Sequence, residues 1–401
     1  MEPGTRHRQP AALLAARNAT YVAFIGSGFG FASWAARIPQ VRDALQASPS
    51  TLGLVLLAVA LGSLIALPLA GVVVTRLGTA RTVTAMAFCV AAGLGVVGLG
   101  YQSGTLPVVL GLFLIGFGNG TWDVAMNVEG AAVEQRLGRA IMPRFHAGFS
   151  LGTVAGALGG AAMVAMGVSV SAHLVAAAVV VGVCVPVSTR RFLPVEPITV
   201  SADGEPVDRP PNPLRAWLEP RTLLVGLFVL CMAFSEGTGN DWLAVAVIDG
   251  YGAPAVAGPL VFAAFLAAMT VGRWFGPQLI DRFGRVAAVR NSALVALVGL
   301  LLVVFGGYLP VAGLGAVLWG LGTALGFPVG MSAAADDPRR SAARVSVVAS
   351  IGYTAFLAGP PLIGFLGDQV GVLRALSVTA ALLGLAALVA GTTKPLLPQG
   401  E

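Results

Sequence analysis

Apolar runs of about 20 residues recur from one end of the chain to the other, and a run of that length crosses the hydrocarbon core of a bilayer as an α-helix. Hydrophobic residues make up 56% of the chain and charged residues 10%, whereas soluble domains carry roughly 25% charged residues. The sequence therefore predicts an all-α membrane protein with twelve transmembrane helices. The twelve runs lie near residues 19–36, 52–74, 82–101, 106–128, 147–168, 170–189, 222–247, 255–280, 286–307, 309–331, 345–366 and 371–391.

The basic residues predict the orientation of the chain. The net charge is +6, and most arginines lie in loops on the same side as the N-terminus. Only Arg37, Arg42 and Arg374 lie near the opposite ends, and Arg273 lies inside a span. The positive-inside rule therefore places both termini in the cytoplasm. Because these basic residues flank apolar spans, they are expected to orient the chain in a lipid bilayer and not to bind nucleic acid.

A polar, proline-rich segment divides the twelve spans into six and six. An internal repeat supports the division, because an offset of about 208 residues aligns "SGFGFASW", ending at Trp34, with "SEGTGNDW", ending at Trp242. Two related halves are typical of transporters. The predicted organisation is a cytoplasmic tail (1–18), a six-helix bundle (19–189), a cytoplasmic linker (190–221), a second six-helix bundle (222–391) and a cytoplasmic tail (392–401).

The fourth span carries polar residues that a lipid-facing helix would not tolerate. Asn119, Asp123 and Asn127 follow one another at four-residue spacing, about 40° apart around the helix axis. A carboxylate at this depth costs roughly 2.5 to 3.5 kcal/mol on insertion scales, and low polarity favours its protonated form. We therefore expect Asp123 to carry a proton and the two asparagines to line a cavity. Glu129, nearer the cytoplasmic end, is expected to be a hydrated boundary residue.

The loops after the second and eighth spans resemble the cytoplasmic loop motif of the major facilitator superfamily. The two sequences are "GVVVTRLGTAR" and "PQLIDRFGR", with Thr75 where the motif has an acid. Positive-inside turns alone are the alternative explanation. The resemblance implies two six-helix bundles and cytoplasmic gating loops, to which the loop after span four also belongs. The predicted gating residues are Gly71, Arg76, Gly78, Arg81, Glu134, Arg139, Asp281, Arg282, Gly284 and Arg285.

The segment "WDVAMN", together with the start of span five, resembles the L-fucose and glucose/galactose permease branch. There an acid precedes an asparagine by four residues, as Asp123 precedes Asn127, and the resemblance implies proton coupling at Asp123. The branch's other acid is replaced by Ala35. A poorly characterised bacterial set of permease-like proteins is more similar still, which implies location in a bacterial plasma membrane. The matching residues of span five are His146, Phe149, Ser150 and Gly152.

Span seven, which lines the cavity in this superfamily, supplies the remaining candidates. Glu236 and Asn240 lie at i and i+4 on one helical face, and Glu236 is the second candidate for proton coupling. Trp34 and Trp242 are expected either to stack on a solute or to anchor the membrane interface. Arg273 is expected to pair with a carboxylate, to bind an anion or to snorkel toward its loop. The predicted solute cavity comprises Asn119, Asn127, Trp34, Asn240, Trp242 and Arg273.

These features predict a proton-coupled secondary transporter of a small solute that functions as a monomer. Uptake of a sugar-like solute is slightly favoured. Efflux of a metabolite or drug by proton antiport is the alternative. A second alternative is a membrane sensor that no longer transports, since Thr75 and Ala35 stand where the loop motif and the permease branch have acids. The sequence contains no P-loop and no paired metal-ligand spacing. We therefore expect no enzyme activity, no cofactor and no metal. The glycines of "GFSLGTVAGALGG" (148–160) are expected to allow close helix packing.

Overall fold

The computed structural model describes residues 11–138, 141–193, 213–337 and 340–396, and every regular element in these ranges is a helix. Eleven helical segments of the described residues are long and apolar enough to cross a membrane. The remaining predicted span corresponds to α1 (Ala11–Ala35), a 25-residue helix whose apolar character is lowered by Asn18, Thr20 and Ser27. The predicted all-α membrane fold is confirmed.

The first half of the chain continues with a short helix and five long ones. Gly78 ends the long helix before the first gating loop and has φ 77°, and Gly284 stands in the matching position of the second half with φ 79°. L-residues rarely adopt this backbone conformation, so glycine suits both positions. The helices are α2 (Ile38–Leu45), α3 (Pro49–Leu77), α4 (Thr79–Gly100), α5 (Thr105–Leu137), α6 (Met142–Ala165) and α7 (Val170–Thr189).

The second half begins with a short 3-10 segment, Pro213–Leu218, and then repeats the pattern of long helices. Two of its spans are each made of two consecutive helices, since α11 continues into α12 and α14 into α15. The helices are α8 (Pro220–Tyr251), α9 (Ala257–Phe283), α10 (Arg285–Phe305), α11 (Leu309–Thr323), α12 (Gly326–Ala334), α13 (Ser341–Val370), α14 (Val372–Ala375) and α15 (Ser377–Val389).

The described chain divides into two compact units. The first comprises the described parts of Met1–Trp34, Ala58–Gly156 and Val168–Ile198, and in it α4 packs against α5 and α7. The second contains Ala35–Leu57, Ala157–Gly167 and the described part of Thr199–Glu401, and in it α8 packs against α13, α15 and α9. The second unit thus includes α2 and the first turns of α3. Most of the predicted linker, residues 194–212, lies outside the described ranges.

Glycines bring helix backbones into direct contact, as the sequence predicts for residues 148–160. A Cβ on Gly152 would overlap the backbone carbonyl of Ile25 in α1, and one on Gly156 would lie 2.6 Å from the carbonyl oxygen of Phe29. Gly159, on the same helix, faces open space. The close approach of α6 to α1 therefore depends on particular glycines of the run, because small residues let helices pack tightly.

Candidate functional site

The polar stripe of α5 lies in the first unit. Asp123 is exposed, and Asn127 donates its side-chain amide to the Asp123 carboxylate at 3.2 Å and to the Asp123 backbone carbonyl at 2.8 Å. Asn119 accepts a hydrogen bond of 3.2 Å from the hydroxyl of Ser27 on α1. Val128, an exposed apolar residue, lies about 140° around the axis from Asp123. The carboxylate therefore projects from a different face than this apolar residue.

The side chain of Asp123 has a neutral hydrogen-bond partner and no recorded cation beside it in the described chain. Its recorded hydrogen-bond partner within the described chain is the amide of Asn127, and no arginine or lysine there forms an ion pair with it. A permanent cationic partner would hold a carboxylate in its charged form. Asp123 is instead exposed and receives its recorded side-chain hydrogen bond from a neutral amide.

Glu129 differs from the expected hydrated boundary residue. Only 2% of it is exposed. Its carboxylate accepts a hydrogen bond of 2.6 Å from the Thr79 hydroxyl at the start of α4, and another of 2.7 Å from the backbone N–H of Leu193, after α7. Glu129 therefore joins three parts of the first unit. Helical phase alone did not reveal this, because the two donors come from other helices.

Asp336 is the counterpart of Glu129 in the second unit, and the sequence analysis missed it. It accepts hydrogen bonds from Arg285, the first residue of α10, at 2.8 Å and from Arg221 at 3.0 Å. Arg221 also donates to the backbone carbonyl of Lys394, after α15. Asp336 follows Glu129 by 207 residues, close to the repeat offset, so the internal repeat is the signal that would have found it. The contact of Glu129 with Thr79 is a hydrogen bond from a neutral hydroxyl, whereas the contact of Asp336 with Arg285 is an ion pair.

The other predicted gating residues are mostly at the surface. Glu134 accepts hydrogen bonds of 2.6 and 2.7 Å from the backbone N–H groups of Ile141 and Met142, so it caps the start of α6. Gly78 is half-buried. Arg139 lies outside the described residues. The exposed members are Gly71, Arg76, Arg81, Asp281, Arg282 and Gly284. Among the predicted gating residues that are described, only Arg285 has a recorded ion pair.

Glu236 and Arg273 form an ion pair inside the second unit. The guanidinium Nη2 of Arg273 on α9 lies 2.7 Å from Oε1 of Glu236 on α8. Sixteen residues of α8 precede Glu236 and fifteen follow it, so the pair lies at the middle of a membrane-spanning helix. The side chain of Glu236 is 18% exposed and that of Arg273 30% exposed. Of the three expectations for Arg273, pairing with a carboxylate is the one observed.

The other predicted cavity residues are less accessible. Trp34 is 2% exposed and Trp242 is fully buried, so neither indole presents a free ring face for stacking in this conformation. Asn240 lies one turn after Glu236, and its side-chain oxygen is buried without a hydrogen-bond partner among the described residues. Asp241 is half-buried. The structure thus brings Glu236 and Arg273 together and leaves the tryptophans in the packed interior.

A further ion pair of the second unit, between Arg42 and Asp249, was also missed. Arg42 on α2 binds both carboxylate oxygens of Asp249 near the end of α8, one of them at 2.9 Å, and it also binds Asp43 at 2.7 Å. Arg42 is one of the few arginines at the ends opposite the basic loops. An arginine at this end of the spans indicates that an acidic partner is needed. The sequence did not identify that partner, because Asp249 lies 207 residues away.

Comparisons with known proteins agree with this architecture. The model of the Major Facilitator Superfamily matches residues 20–355. An uncharacterized transporter of Sinorhizobium fredii is 31% identical over 94% of this chain and 96% of its own length. A mutant of the nucleoside transporter NupG aligns with a TM-score of 0.76 at 12% identity, over 95% of this chain and 99% of that chain. The E. coli fucose:proton symporter FucP aligns with a TM-score of 0.63 at 16% identity, over 96% and 100%. These two structures show similarity of fold alone.

Proposed function

Because this chain belongs to the Major Facilitator Superfamily, we propose that it is a secondary active transporter that couples movement of a small solute to protons. Asp123 is the proton carrier in this proposal, and the solute moves by alternating access. The protein works in a bacterial plasma membrane with both termini in the cytoplasm, as a monomer with two six-helix bundles. Sugar-like uptake is favoured by the resemblance to the fucose permease branch.

The exposure of Asp123 and its neutral hydrogen-bond partner are the observations on which the proposal rests. A proton carrier needs access to water and an environment that accommodates both protonation states. Asp123 is exposed on a membrane-spanning helix and receives one hydrogen bond from the neutral amide of Asn127. Glu236, the other candidate, is paired with Arg273. That pair is charge-balanced, which makes Asp123 the better candidate for the primary proton site.

Asn119 and Asn127 have supporting roles in this proposal. Asn127 orients the Asp123 carboxylate, and Asn119 holds α1 through Ser27. Each asparagine keeps further hydrogen-bonding capacity for a polar solute. Proton antiport with efflux remains the alternative, since the same carboxylate serves either direction. The predicted gating loops would rearrange during the cycle.

The test first identifies a solute and then measures proton movement. A thermal-shift screen of the purified protein over sugars, polyols, nucleosides and antibiotics selects solutes that raise its melting temperature, because ligands of the folded state stabilise it. The selected solute is then added to proteoliposomes in a weakly buffered medium that contains an external pH-sensitive dye. Alkalinisation of the outer medium indicates symport. Proton release from acidic-inside vesicles on solute addition indicates antiport.

The decisive variant is Asp123→Asn, which keeps the shape and removes the charge. We expect it to lower the number of protons moved per solute while the thermal shift with solute persists. Asp368→Asn, which changes an exposed carboxylate near the end of α13, is the matched control and should behave as wild type. Undiminished proton movement in Asp123→Asn would show that the coupling role is wrong.

A further inference from the structure

The Glu236–Arg273 pair has unused binding capacity. A guanidinium has five N–H donors and a carboxylate has two oxygens. Within the described chain, the recorded contact uses Nη2 of Arg273 and Oε1 of Glu236. Both side chains are also partly exposed. A pair with a purely structural role is expected to satisfy more of its donors inside the protein.

The position of the pair determines what can open it. Charged groups in the middle of a span are stable only when they are compensated. A neutral solute that displaced Glu236 would leave the guanidinium without a negative partner. A solute carboxylate would replace Glu236 on Arg273 by the same kind of bond, and a guanidinium binds a carboxylate through two parallel N–H donors. Only an anionic group therefore exchanges with Glu236 without uncovering the positive charge.

We propose that Arg273 recognises a carboxylate of the transported solute, which takes the place of Glu236. The inference rests on the proposed function and adds the charge class of the solute. In the exchange, the solute carboxylate binds Arg273 and Glu236 takes up one proton from water on the exposed side. The Arg273–carboxylate pair stays neutral and the released Glu236 is neutral, so the charge in the span is unchanged. When the solute leaves, Glu236 loses that proton and pairs with Arg273 again.

Few other charges approach this exchange. On α8 itself, Asp241 lies five residues beyond Glu236, and Asp249 is near the end of the helix. On α9 the cation is Arg273, with Asp281 and Arg282 at the far end. The charged residues of α13 stand near its ends, Arg344 near the start and Asp368 near the finish, and α11, α12 and α15 contain none. Arg374 of α14 and the charged residues of α2, Arg42 and Asp43, belong to elements that contact α8 near its end, at Gly250 and Asp249. Glu236 therefore depends on Arg273 as its cation.

The neighbourhood offers a second contact for the solute. The side-chain oxygen of Asn240 lies one turn from Glu236, and nothing in the described part of the chain donates to it. A buried acceptor without a donor is costly. A hydroxyl or N–H of the solute, admitted when the pair opens, would satisfy it. A small solute with a carboxylate and a nearby donor, such as a sugar acid, matches both contacts.

The test compares solutes that differ in charge. A thermal-shift screen of the full-length protein uses three size-matched panels of neutral, carboxylate and amine compounds, including galactose, galacturonate and galactosamine. We expect the stabilising compounds to come from the carboxylate panel. Calorimetric titration with such a compound in buffers of different ionisation enthalpy should show uptake of about one proton near neutral pH. A screen in which no carboxylate compound stabilises the wild-type protein overturns the inference, whatever the other panels show.

Variants then test the named residues. Arg273→Gln should weaken binding of the selected carboxylate at least tenfold, whereas Arg290→Gln, which removes an arginine of α10 that contacts the Ala387 carbonyl, should not. Glu236→Gln removes the internal competitor and should tighten binding and abolish the proton uptake. This variant keeps the test decisive if Arg273→Gln does not fold. Unchanged binding in Arg273→Gln, or weaker binding in Glu236→Gln, overturns the inference.

Failure of this inference is distinguishable from failure of the proposed function. A neutral solute that moves with protons in proteoliposomes supports the transporter proposal and contradicts carboxylate recognition. A carboxylate that binds through Arg273 but is not transported supports the recognition site and contradicts the transporter proposal.

Discussion

Asp336 and Arg285 form an ion pair of 2.8 Å at the point where, in the first half of the chain, Glu129 accepts a hydrogen bond from the neutral hydroxyl of Thr79. The two halves therefore solve one structural problem differently. In each, an acid near the end of the fourth span of the half, inside α5 for Glu129 and just after α12 for Asp336, contacts the first residue of the third span. The second half uses charge, and the side chain of Asp336 is only 11% exposed.

Removing that charge should destabilise the protein. Asp336→Asn leaves Arg221 and Arg285 without their recorded carboxylate partner, and loss of one partner of a largely buried pair costs about 1–3 kcal/mol after allowance for partial exposure. Thermal or denaturant unfolding in detergent measures the change. Asp281→Asn, on an exposed carboxylate in the last turn of α9, should change stability by less than about 0.5 kcal/mol. Equal effects of the two substitutions would contradict the structural role of Asp336.

Two glycines of α6 should respond oppositely to the same substitution. Gly152→Ala places a methyl group against the backbone carbonyl of Ile25, which cannot move as a flexible side chain would. Overpacking of this kind costs about 1–3 kcal/mol. Gly159→Ala meets open space and should be neutral or slightly stabilising, since alanine favours helix by about 1 kcal/mol. Thermal melts compare the two, and a stable Gly152→Ala would show that α1 and α6 pack less closely.

Glu219 should make the stability depend on acid. The side-chain hydrogen bond from Arg344 lowers the pKa of Glu219 below its usual value, opposed by partial burial and assisted by Thr222 and Arg340. The contribution of Glu219 is therefore fully present above the unfolded pKa of about 4.3. It is lost as the pH falls through the lower folded pKa, because the unfolded chain then binds the proton more readily.

The measurement is the melting temperature between pH 3 and pH 7. Glu219→Gln should be less stable than wild type at pH 7, and the difference should shrink toward pH 3. Asp281→Asn serves as the control and should run parallel to wild type. A constant difference between Glu219→Gln and wild type across this range would show that the carboxylate charge of Glu219 does not contribute.

The intramembrane pair should show strong coupling in a double-mutant cycle. Arg273→Gln leaves the Glu236 carboxylate without its guanidinium, and Glu236→Gln leaves the guanidinium without its carboxylate. The double variant removes both charges and should recover part of the stability. We expect a coupling free energy of about 1–3 kcal/mol, within the range for residues in direct contact. Additive effects in thermal unfolding would indicate that the two groups do not interact.

Much of the fold was predictable because each span is recognisable from its own residues. Length and apolar content predict the helices, and the loops "TRLG" and "DRFG" predict a matching turn in both halves, which Gly78 and Gly284 form with positive φ. The stripe of Asn119, Asp123 and Asn127 also follows from helical phase, since all three belong to one helix. These features depend on neighbours in sequence, which a pattern records directly.

Contacts between helices were harder to predict from the sequence. Three roles were open for Arg273: pairing with a carboxylate, binding an anion and snorkelling toward its loop. The hydrogen bonds of Glu129 were not predicted, because Thr79 and Leu193 belong to other elements. Trp34 and Trp242 satisfy the pattern of a stacking platform yet are buried. An amphipathic or polar face shows that a residue needs a partner, but the rotation and depth of the opposing helix decide which partner it meets.

By itself, the sequence determined the membrane class, the helical spans, the repeat of two halves and the polar face of α5, because these depend on the hydrophobic effect and on helix geometry along one segment. Only the tertiary structure decided that Arg273 meets Glu236, that Asp336 holds Arg285 and that Glu129 is buried. The physical reason is that a charge within a packed helical protein must be compensated, and the compensating group comes from a helix that close packing, not sequence proximity, brings beside it.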